Sequence, residues 1–474
     1  MKPTKPVLFR ICCACSSAQG TFNVRCYGAK GDGQTDDLGA ILAARDDVNA
    51  AGGGVLLFPR GSFVVSNTIE LGTSTTVLGS GAGSVLLAKP GVACFNMLLV
   101  RNSDDVRVRD LVLDGNRVQT SPPADADNEN IGCGFLGQPV GKGQTGLSIK
   151  NVIVRNHHGS GIRIIGPNNS DDLYQLNANE IEVIGSQILG CGSRGIILTR
   201  ATRARIAGNV ITSCTQAGIQ LVKSRAAVID GNVIQKTVQR PETRGGHGIA
   251  AANSFDYVIV NNVASENERW GIVASGGVGI FPPHHPMSQR YVVANNVCRA
   301  NATGGITIDP TTDHPDAIQD SFATVASNVC VANQGHGIHT THAGYLAVRG
   351  NICDGNEKAG VAINSSRYAV VADNVVTGNG NYGVAFWANS DVQDVGHHLL
   401  GGNVYDNNTV GEIHIAPHHP AIRGLQDRWP SGGAGGMNLP VNASNPANPV
   451  EGLLYLNTAD NKLRVYADGV WHTL

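Results

Sequence analysis

The feature that most limits what this chain can fold into is an internal repeat carried by two short signatures. Asn-Val or Asn-Ile recurs at Asn209, Asn232, Asn262, Asn296, Asn328, Asn351, Asn374 and Asn403. Gly-Ile or Gly-Val recurs at Gly161, Gly195, Gly218, Gly248, Gly271, Gly305, Gly337, Gly360 and Gly383. The Asn is usually followed nine residues later by the Gly, and the shortest full period, Asn328 to Asn351 to Asn374, is 23 residues. A fixed period of this size predicts a solenoid, in which each repeat adds one coil and contacts only its neighbours. A second Asn series, Asn267, Asn301, Asn333, Asn356 and Asn379, lies four residues before a repeat Gly. Asparagines stacked coil on coil bond their amides along the axis and satisfy tight turns, so both series read as structural. Coils about 4.8 Å apart, roughly a dozen of them, make a rod of about 60 Å.

Composition agrees with a one-dimensional fold. At 474 residues the chain is long for one globular core, and it holds 60 Gly with only 5% aromatics. Formal net charge is −2 with 15% charged residues, which does not supply the basic field that nucleic acid requires. No run of 18 apolar residues is present, so no membrane helix and no membrane partner is expected. Cys298, Cys330 and Cys353 each fall two residues after a repeat Asn. Alternation along a strand then gives all three the same orientation, as buried apolar thiols rather than a metal site. No metal and no cofactor is expected.

Residues 22–87 form an opening module. Asp36 and Asp37 precede a stretch with apolar residues at helical spacing (Leu38, Ile41, Leu42, Val48), which reads as a capped helix ended by Gly52-Gly53-Gly54. Val55–Phe58, Phe63–Val65 and Thr68–Leu71 are short β-rich runs. The sequence Tyr27-Gly-Ala-Lys-Gly-Asp-Gly-Gln-Thr-Asp-Asp37, the helix, and then Gly52-Gly-Gly-Val-Leu-Leu-Phe-Pro59 with Gly61-Ser-Phe-Val-Val resemble the opening of the pectate-lyase-like superfamily. They are similar to the start of many phage tailspikes and carbohydrate-active β-helix proteins. The resemblance covers about 65 residues and carries no catalytic residue. It implies an all-β fold, a single-stranded right-handed parallel β-helix, with the helix covering open strand edges at one end.

The rest of the chain divides into coils at 88–420, a Gly/Pro-rich linker at 421–449, and a C-terminal β-hairpin module at 450–474 with turn pairs Asp460-Asn461 and Asp468-Gly469. The hairpin sequence resembles a module that recurs near the ends of phage tail and fibre proteins. Residues 1–21 form an N-terminal arm. Lys2, Lys5 and Arg10 flank a short apolar piece that is compatible with an attachment arm or a secretory signal, although Arg10 interrupts the apolar run a signal needs.

The frame also locates insertions. From Gly to the next Asn the minimum is 14 residues (Gly337 to Asn351), whereas Gly271 to Asn296 takes 25 and Gly305 to Asn328 takes 23. Gly161 to Gln187, which occupies an Asn position, takes 26. The extra residues, near 166–177, 276–288 and 309–320, leave at one corner, and 236–246 leaves at another. Loops beside a flat sheet make a groove where function collects. Outward positions near it include Arg163, Gln220, Thr307 and His339, then Ser275, Asp309, Thr341, Asn364 and Trp387, and, before the Gly, Arg194, His247, Trp270, His336 and Tyr382. Rings and polar groups at ladder spacing suit a polysaccharide, so His247, Trp270, His336, Thr341 and Trp387 are candidate substrate contacts. Carboxylates for glycoside hydrolysis, or a base for uronate elimination, come from Asp309, Asp313 and Asp316 on one segment, with His339 beside it. Glu266, Glu268 and Asp320 are further acids. Asp309-Pro-Thr-Thr-Asp313-His314-Pro-Asp316 is similar to the Asp-Pro-His motif of alginate epimerases but differs in spacing, so no role is carried over. Gly246-His247-Gly248 and Gly335-His336-Gly337 resemble the Gly-His-Gly motif of polygalacturonases, whose other motifs are absent. His284-His285 and His418-His419 read as loop decoration.

Together these features predict a virion tailspike-like or fibre protein, a homotrimer that binds and depolymerises a host surface polysaccharide. Residues 1–21 or 450–474 would contact other virion proteins. A secreted bacterial lyase, C5-epimerase or hydrolase of the same fold is the alternative, and a non-catalytic structural virion protein is a third reading.

Overall fold

The structure, a computed structural model, describes residues 20–123, 130–140, 143–167, 178–240, 245–275, 288–309, 318–388 and 395–416, and short strands between 422 and 473. The chain divides into two compact units, Met1–Asn169 with Asn177–Gln187, and Ser170–Leu176 with Ile188–Leu474. Each is built of parallel coils contributing one strand to each of three sheets, so the chain folds as a single-stranded parallel β-helix. Parallel pairing with both faces in use is what the Gly and Asn turns permit, because each coil returns in the same direction after three short strands.

In the first unit the expected helix forms at Leu38–Ala50 and buries Ile41, Ala44 and Val48. Asp37 occupies its N-cap, yet its carboxylate does not cap the helix. It accepts instead from the backbone N–H groups of Lys30 at 2.6 Å and Gly31 at 2.9 Å, fixing the Gly-rich turn before the helix. Asp36 accepts from the N–H of Leu38 at 3.2 Å and so supplies a local partner for a helix-end donor. The β-rich runs form strands at Gly54–Leu57, Gly61–Val65 and Ile69–Leu71.

The second unit shows why the repeat looks as it does. After each first-series Asn comes a three-residue strand (Val210–Thr212 through Val404–Asp406), the Asn-Val sheet. After each repeat Gly comes the Gly-Ile sheet, from Ile196–Thr199 to Gly411–Ile415. A third sheet runs from Ala201–Ala207 to His398–Gly401. Both asparagine series form continuous ladders of buried amides. Asn328 donates from its Nδ2 to Oδ1 of Asn351 at 3.0 Å, and Asn351 to Oδ1 of Asn374 at 2.9 Å. In the second series Asn333 donates to Asn356 at 2.8 Å and Asn356 to Asn379 at 2.9 Å. Each Oδ1 also accepts a backbone N–H from the coil before it, as in Asn328 N–H to Asn351 at 2.9 Å. The amides thereby satisfy donors at turns that lie inside the protein, where an unmet N–H is costly. The repeat Gly has its own cause: a Cβ at Gly337 would lie 2.6 Å from the carbonyl oxygen of Gly360 on the next coil. Cys298, Cys330 and Cys353 are in register on successive strands and fully buried, with free thiols.

Strands at Leu454–Asn457, Lys462–Ala467 and Val470–Thr473 pair antiparallel, with Leu454 opposite Val465 and Arg464 opposite Thr473. The turn pairs expected between them, at 460–461 and 468–469, lie outside the described residues.

Candidate functional site: an aromatic pavement on the Gly-Ile sheet

Alternation along each Gly-Ile strand sends Ile272, Ile306 and Ile338 inward, where they are fully buried, and their neighbours outward. Register then gathers the outward residues into three columns. The first, at the start of each strand and turned outward there rather than by alternation, holds His247, Trp270, Gly304, His336, Ala359 and Tyr382. The second holds Val273, Thr307, His339, Ala362, Ala385 and His414. The third holds Ser275, Asp309, Thr341, Asn364 and Trp387. These are the positions the repeat frame assigns to the outer face.

The rings do not stand in separate columns. Trp270 stacks on His339, two coils away, with centroids 5.8 Å apart and planes 16° apart. His339 stacks on His336 at 5.2 Å, and His336 meets the edge of Trp387 at 5.6 Å. Trp387 reaches His414 at 6.1 Å, and His414 stacks on Tyr382 at 4.5 Å. The intervening coils make this possible because their outward residues are small. A Cβ at Gly304 would collide with Cζ3 of Trp270 and lie 2.7 Å from Cε3, so the indole occupies the space a side chain would fill. Ala359, Ala362 and Ala385 form a floor with no exposed surface, covered by Tyr382 and Trp387. Six rings thus pave the outer face, and their stacking contributes beyond the area they bury.

The paving sets the charge state of the histidines. Burial, then His336, Lys358 and His342, push His339 down to about 3. Burial and Lys358 lower His336 to about 4, against a raising hydrogen bond with the Ala359 backbone. Burial also lowers His414. Both His336 and His339 are therefore neutral at pH 7, offering ring faces and one donor and one acceptor nitrogen each. Nδ1 of His339 is 3.3 Å from Oγ1 of Thr307, and Thr341 is 3.0 Å from Nδ1 of His342.

Of the residues proposed from sequence, Trp270, His336, His339 and Trp387 come together in the pavement, and His247 aligns beside Trp270 in the first column. Thr341 lies in the third column with Asp309. Asp309 is half-buried at the end of its strand, and its charge reaches the buried Tyr291, whose phenol is raised by burial first and by Asp309 as well. Asp313 and Asp316 lie outside the described residues, as do the segments at 168–177, 276–287 and 310–317. Sequence reasoning missed His414, because Glu412 stands where the repeat Gly is expected. The nine-residue offset from Asn403 would have marked that position. It also missed Gly304, whose role appears only once Trp270 is placed above it.

Comparisons with known proteins agree with this fold. Residues 21–240 match the family model "Rhamnogalacturonase A/epimerase, pectate lyase-like", and residues 284–416 match "Periplasmic copper-binding protein (NosD)". Among the described residues no group of three or more His, Cys, Asp or Glu is placed to hold a metal ion, and the stacked thiols Cys298, Cys330 and Cys353 lie in the core. One segment is 39% identical over 120 residues to the mannuronan C5-epimerase AlgE1 of Azotobacter vinelandii, covering 22% of this chain and 8% of that protein. Another comparison gives 28% identity over 143 residues to the pre-neck appendage protein of Bacillus phage phi29, covering 28% of this chain and 15% of that protein. The chain therefore spans under a sixth of the length of either relative. The crystal structure of pre-mature bacteriophage phi29 gene product 12 superposes with a TM-score of 0.62 at 15% identity, over 91% of this chain and 61% of that one, a likeness of fold. Residues 21–240 thus carry a pectate-lyase-like family match, and the three parallel sheets wound from one chain make the protein a single-stranded parallel β-helix.

Proposed function

We propose that this protein binds a surface polysaccharide along the pavement of its Gly-Ile sheet, as a self-associating appendage of a phage virion that also cleaves the chain it holds. The observation that carries the reading is the continuous set of rings Trp270, His339, His336, Trp387, His414 and Tyr382 on one outer face. Indole and imidazole faces pack on sugar C–H surfaces, and the neutral imidazoles, Thr307 and Thr341 exchange hydrogen bonds with hydroxyls. Asp309 borders this face, with Asp313 and Asp316 in the segment that follows. We assign these carboxylates the acid and base roles of glycosidic cleavage. His339, neutral at pH 7, acts as a hydrogen-bonding positioner rather than a proton donor. The similarity to a phage pre-neck appendage protein supports the virion setting.

The segment resembling a mannuronan C5-epimerase favours a second reading, proton abstraction at C5 of a uronate in a secreted enzyme. One experiment separates the two: incubation with host capsule, lipopolysaccharide and exopolysaccharide, reading reducing ends, ultraviolet absorbance of unsaturated uronates, uronate C5 configuration by proton NMR, and binding. New reducing ends without absorbance support hydrolysis. Absorbance supports elimination, and an altered C5 configuration without chain shortening supports epimerisation. Absence of binding to every polysaccharide sinks both readings.

A further inference from the structure

A different face of the second unit carries a feature that polysaccharide binding does not use. On the third sheet Phe322, Tyr345, Tyr368 and His397 stack in a column, with centroids 4.9, 4.9 and 5.3 Å apart. Each sits at positive φ (46°, 56°, 51° and 57°), a corner that turns the ring out of the sheet. Phe322, Tyr345 and Tyr368 remain 50%, 43% and 38% exposed. Beside this ridge runs a column of aliphatic and small residues in register, Val228, Val258, Val292, Thr324, Ala347, Val370 and Leu399.

We infer that this face is where a second copy of the chain docks, an assignment that rests on the self-association proposed above and names its surface. Three lines support this occupant. The first is shape: the ridge of rings borders a trough where Thr324 and Ala347 are small, so a neighbouring copy can seat its ridge in that trough. The second is period. Both columns repeat at the coil spacing of about 4.8 Å, and a second copy running in the same direction offers a matching column at the same interval. An unrelated globular surface has no such period. The third is area. Side chains of aromatic size present about 150–250 Å² each, so the three exposed rings leave roughly 250 Å² in water. The aliphatic column brings the apolar patch to roughly 500 Å², against about 800 Å² per partner in a standard interface of which somewhat over half is apolar. The polar remainder is at hand. Arg290 pairs with Asp256 at 2.6 Å and Arg367 with Asp320 at 2.8 Å, at the flanks of the ridge. These pairs leave the ridge without a net charge to repel a copy of itself.

The test is sedimentation of the full chain and of a Tyr345→Glu, Tyr368→Glu double variant, with circular dichroism to check the fold. The expected result is an assembled wild-type protein and a folded, dispersed variant. A Thr377→Glu change on the Asn-Val sheet should leave assembly intact. As a second handle, mixing Tyr345→Cys chains with Ala347→Cys chains should give reducible cross-linked dimers, because the ridge of one copy lies against the trough of the other. A monomeric wild-type protein, an assembled double variant, or no cross-link in that mixture would overturn the assignment. Polysaccharide binding is measured in parallel. Loss of binding in Trp270→Ala would leave assembly untouched, and dispersal by the ridge variant would leave binding per chain on the Gly-Ile sheet. Failure of either idea is therefore read separately.

Discussion

Replacing Asn351 by Ala tests the ladder directly, because every group it would orphan can be named. Its Oδ1 accepts the backbone N–H of Asn328 at 2.9 Å and the Nδ2 of Asn328 at 3.0 Å. Its own Nδ2 donates to the Val325 carbonyl at 3.0 Å and to Oδ1 of Asn374 at 2.9 Å. The Ala variant leaves the Asn328 N–H with no acceptor and one Nδ2 proton of Asn328 unmet, all at positions with no exposed surface. At about 1–3 kcal/mol for each of these two buried orphans, the loss is about 2–6 kcal/mol. Ile352, the next residue, points outward at 43% exposure, and Ile352→Ala should cost under about 1 kcal/mol. The measurement is urea unfolding followed by circular dichroism, with hydrogen exchange at Asn328 reporting the local opening. Asn351→Asp adds a signature that packing loss cannot imitate. It keeps the acceptor for Asn328 but aims a carboxylate oxygen at the Val325 carbonyl and the Asn374 Oδ1. Its folded-state pKa is then raised, because only the protonated form donates. Above that pKa the charged form destabilises the fold, and stability returns as pH falls through it toward the ordinary carboxyl range. An Asn351→Ala variant within about 0.5 kcal/mol of the parent, or an Asn351→Asp variant without this pH dependence, would refute the ladder as a source of stability.

Three further outcomes are expected. His157, buried with Nε2 3.2 Å from the Leu113 carbonyl, is lowered from 6.5 to about 4, mainly by burial. It is neutral in the folded state, so its contribution is complete above pH 6.5 and is lost as pH falls from there toward 4, in total about 3 kcal/mol. Urea midpoints across that range should slope less in His157→Gln. Gly304→Ala should lift Trp270 off the sheet, shifting its fluorescence and weakening polysaccharide binding as much as Trp270→Ala, with Trp270→Phe intermediate. Unchanged binding in Gly304→Ala would show that the flat indole is not the platform. Cys330→Val, a near-isosteric change in the thiol stack, should cost less than about 1.5 kcal/mol and leave activity and chelator response unchanged. A large effect would mean that the thiols do more than fill space.

The fold was legible because its causes are local and periodic. An Asn at every coil is needed where a turn buries an N–H, and a Gly is needed wherever the next coil's carbonyl passes within 2.6 Å, as at Gly337. Both recur with the coil and so appear as spacing. The second and third columns were legible for the same reason, since strand alternation places His339 and Trp387 opposite the buried positions, whereas Trp270 and His336 share the parity of Ile272 and Ile338 and reach the outer face from the start of the strand. The role of Asp37 in fixing the preceding turn was not legible. An acidic residue before a helix can serve the helix or the preceding turn, and the Gly-rich turn presents two N–H groups in better position.

The sequence by itself determined the solenoid, the inward and outward assignment, and the corner at which the coils are interrupted. The tertiary structure decided how the outward residues use their freedom. Trp270 and Trp387 each lean over a neighbouring coil to reach a histidine two coils away, because Gly304 in one case and Ala359 and Ala362 in the other leave the space empty. The same paving removes water from His336 and His339 and holds them neutral. A periodic sequence names which residues share a face, but long side chains cross coil boundaries, and where they come to rest depends on the size of neighbours that are distant along the chain.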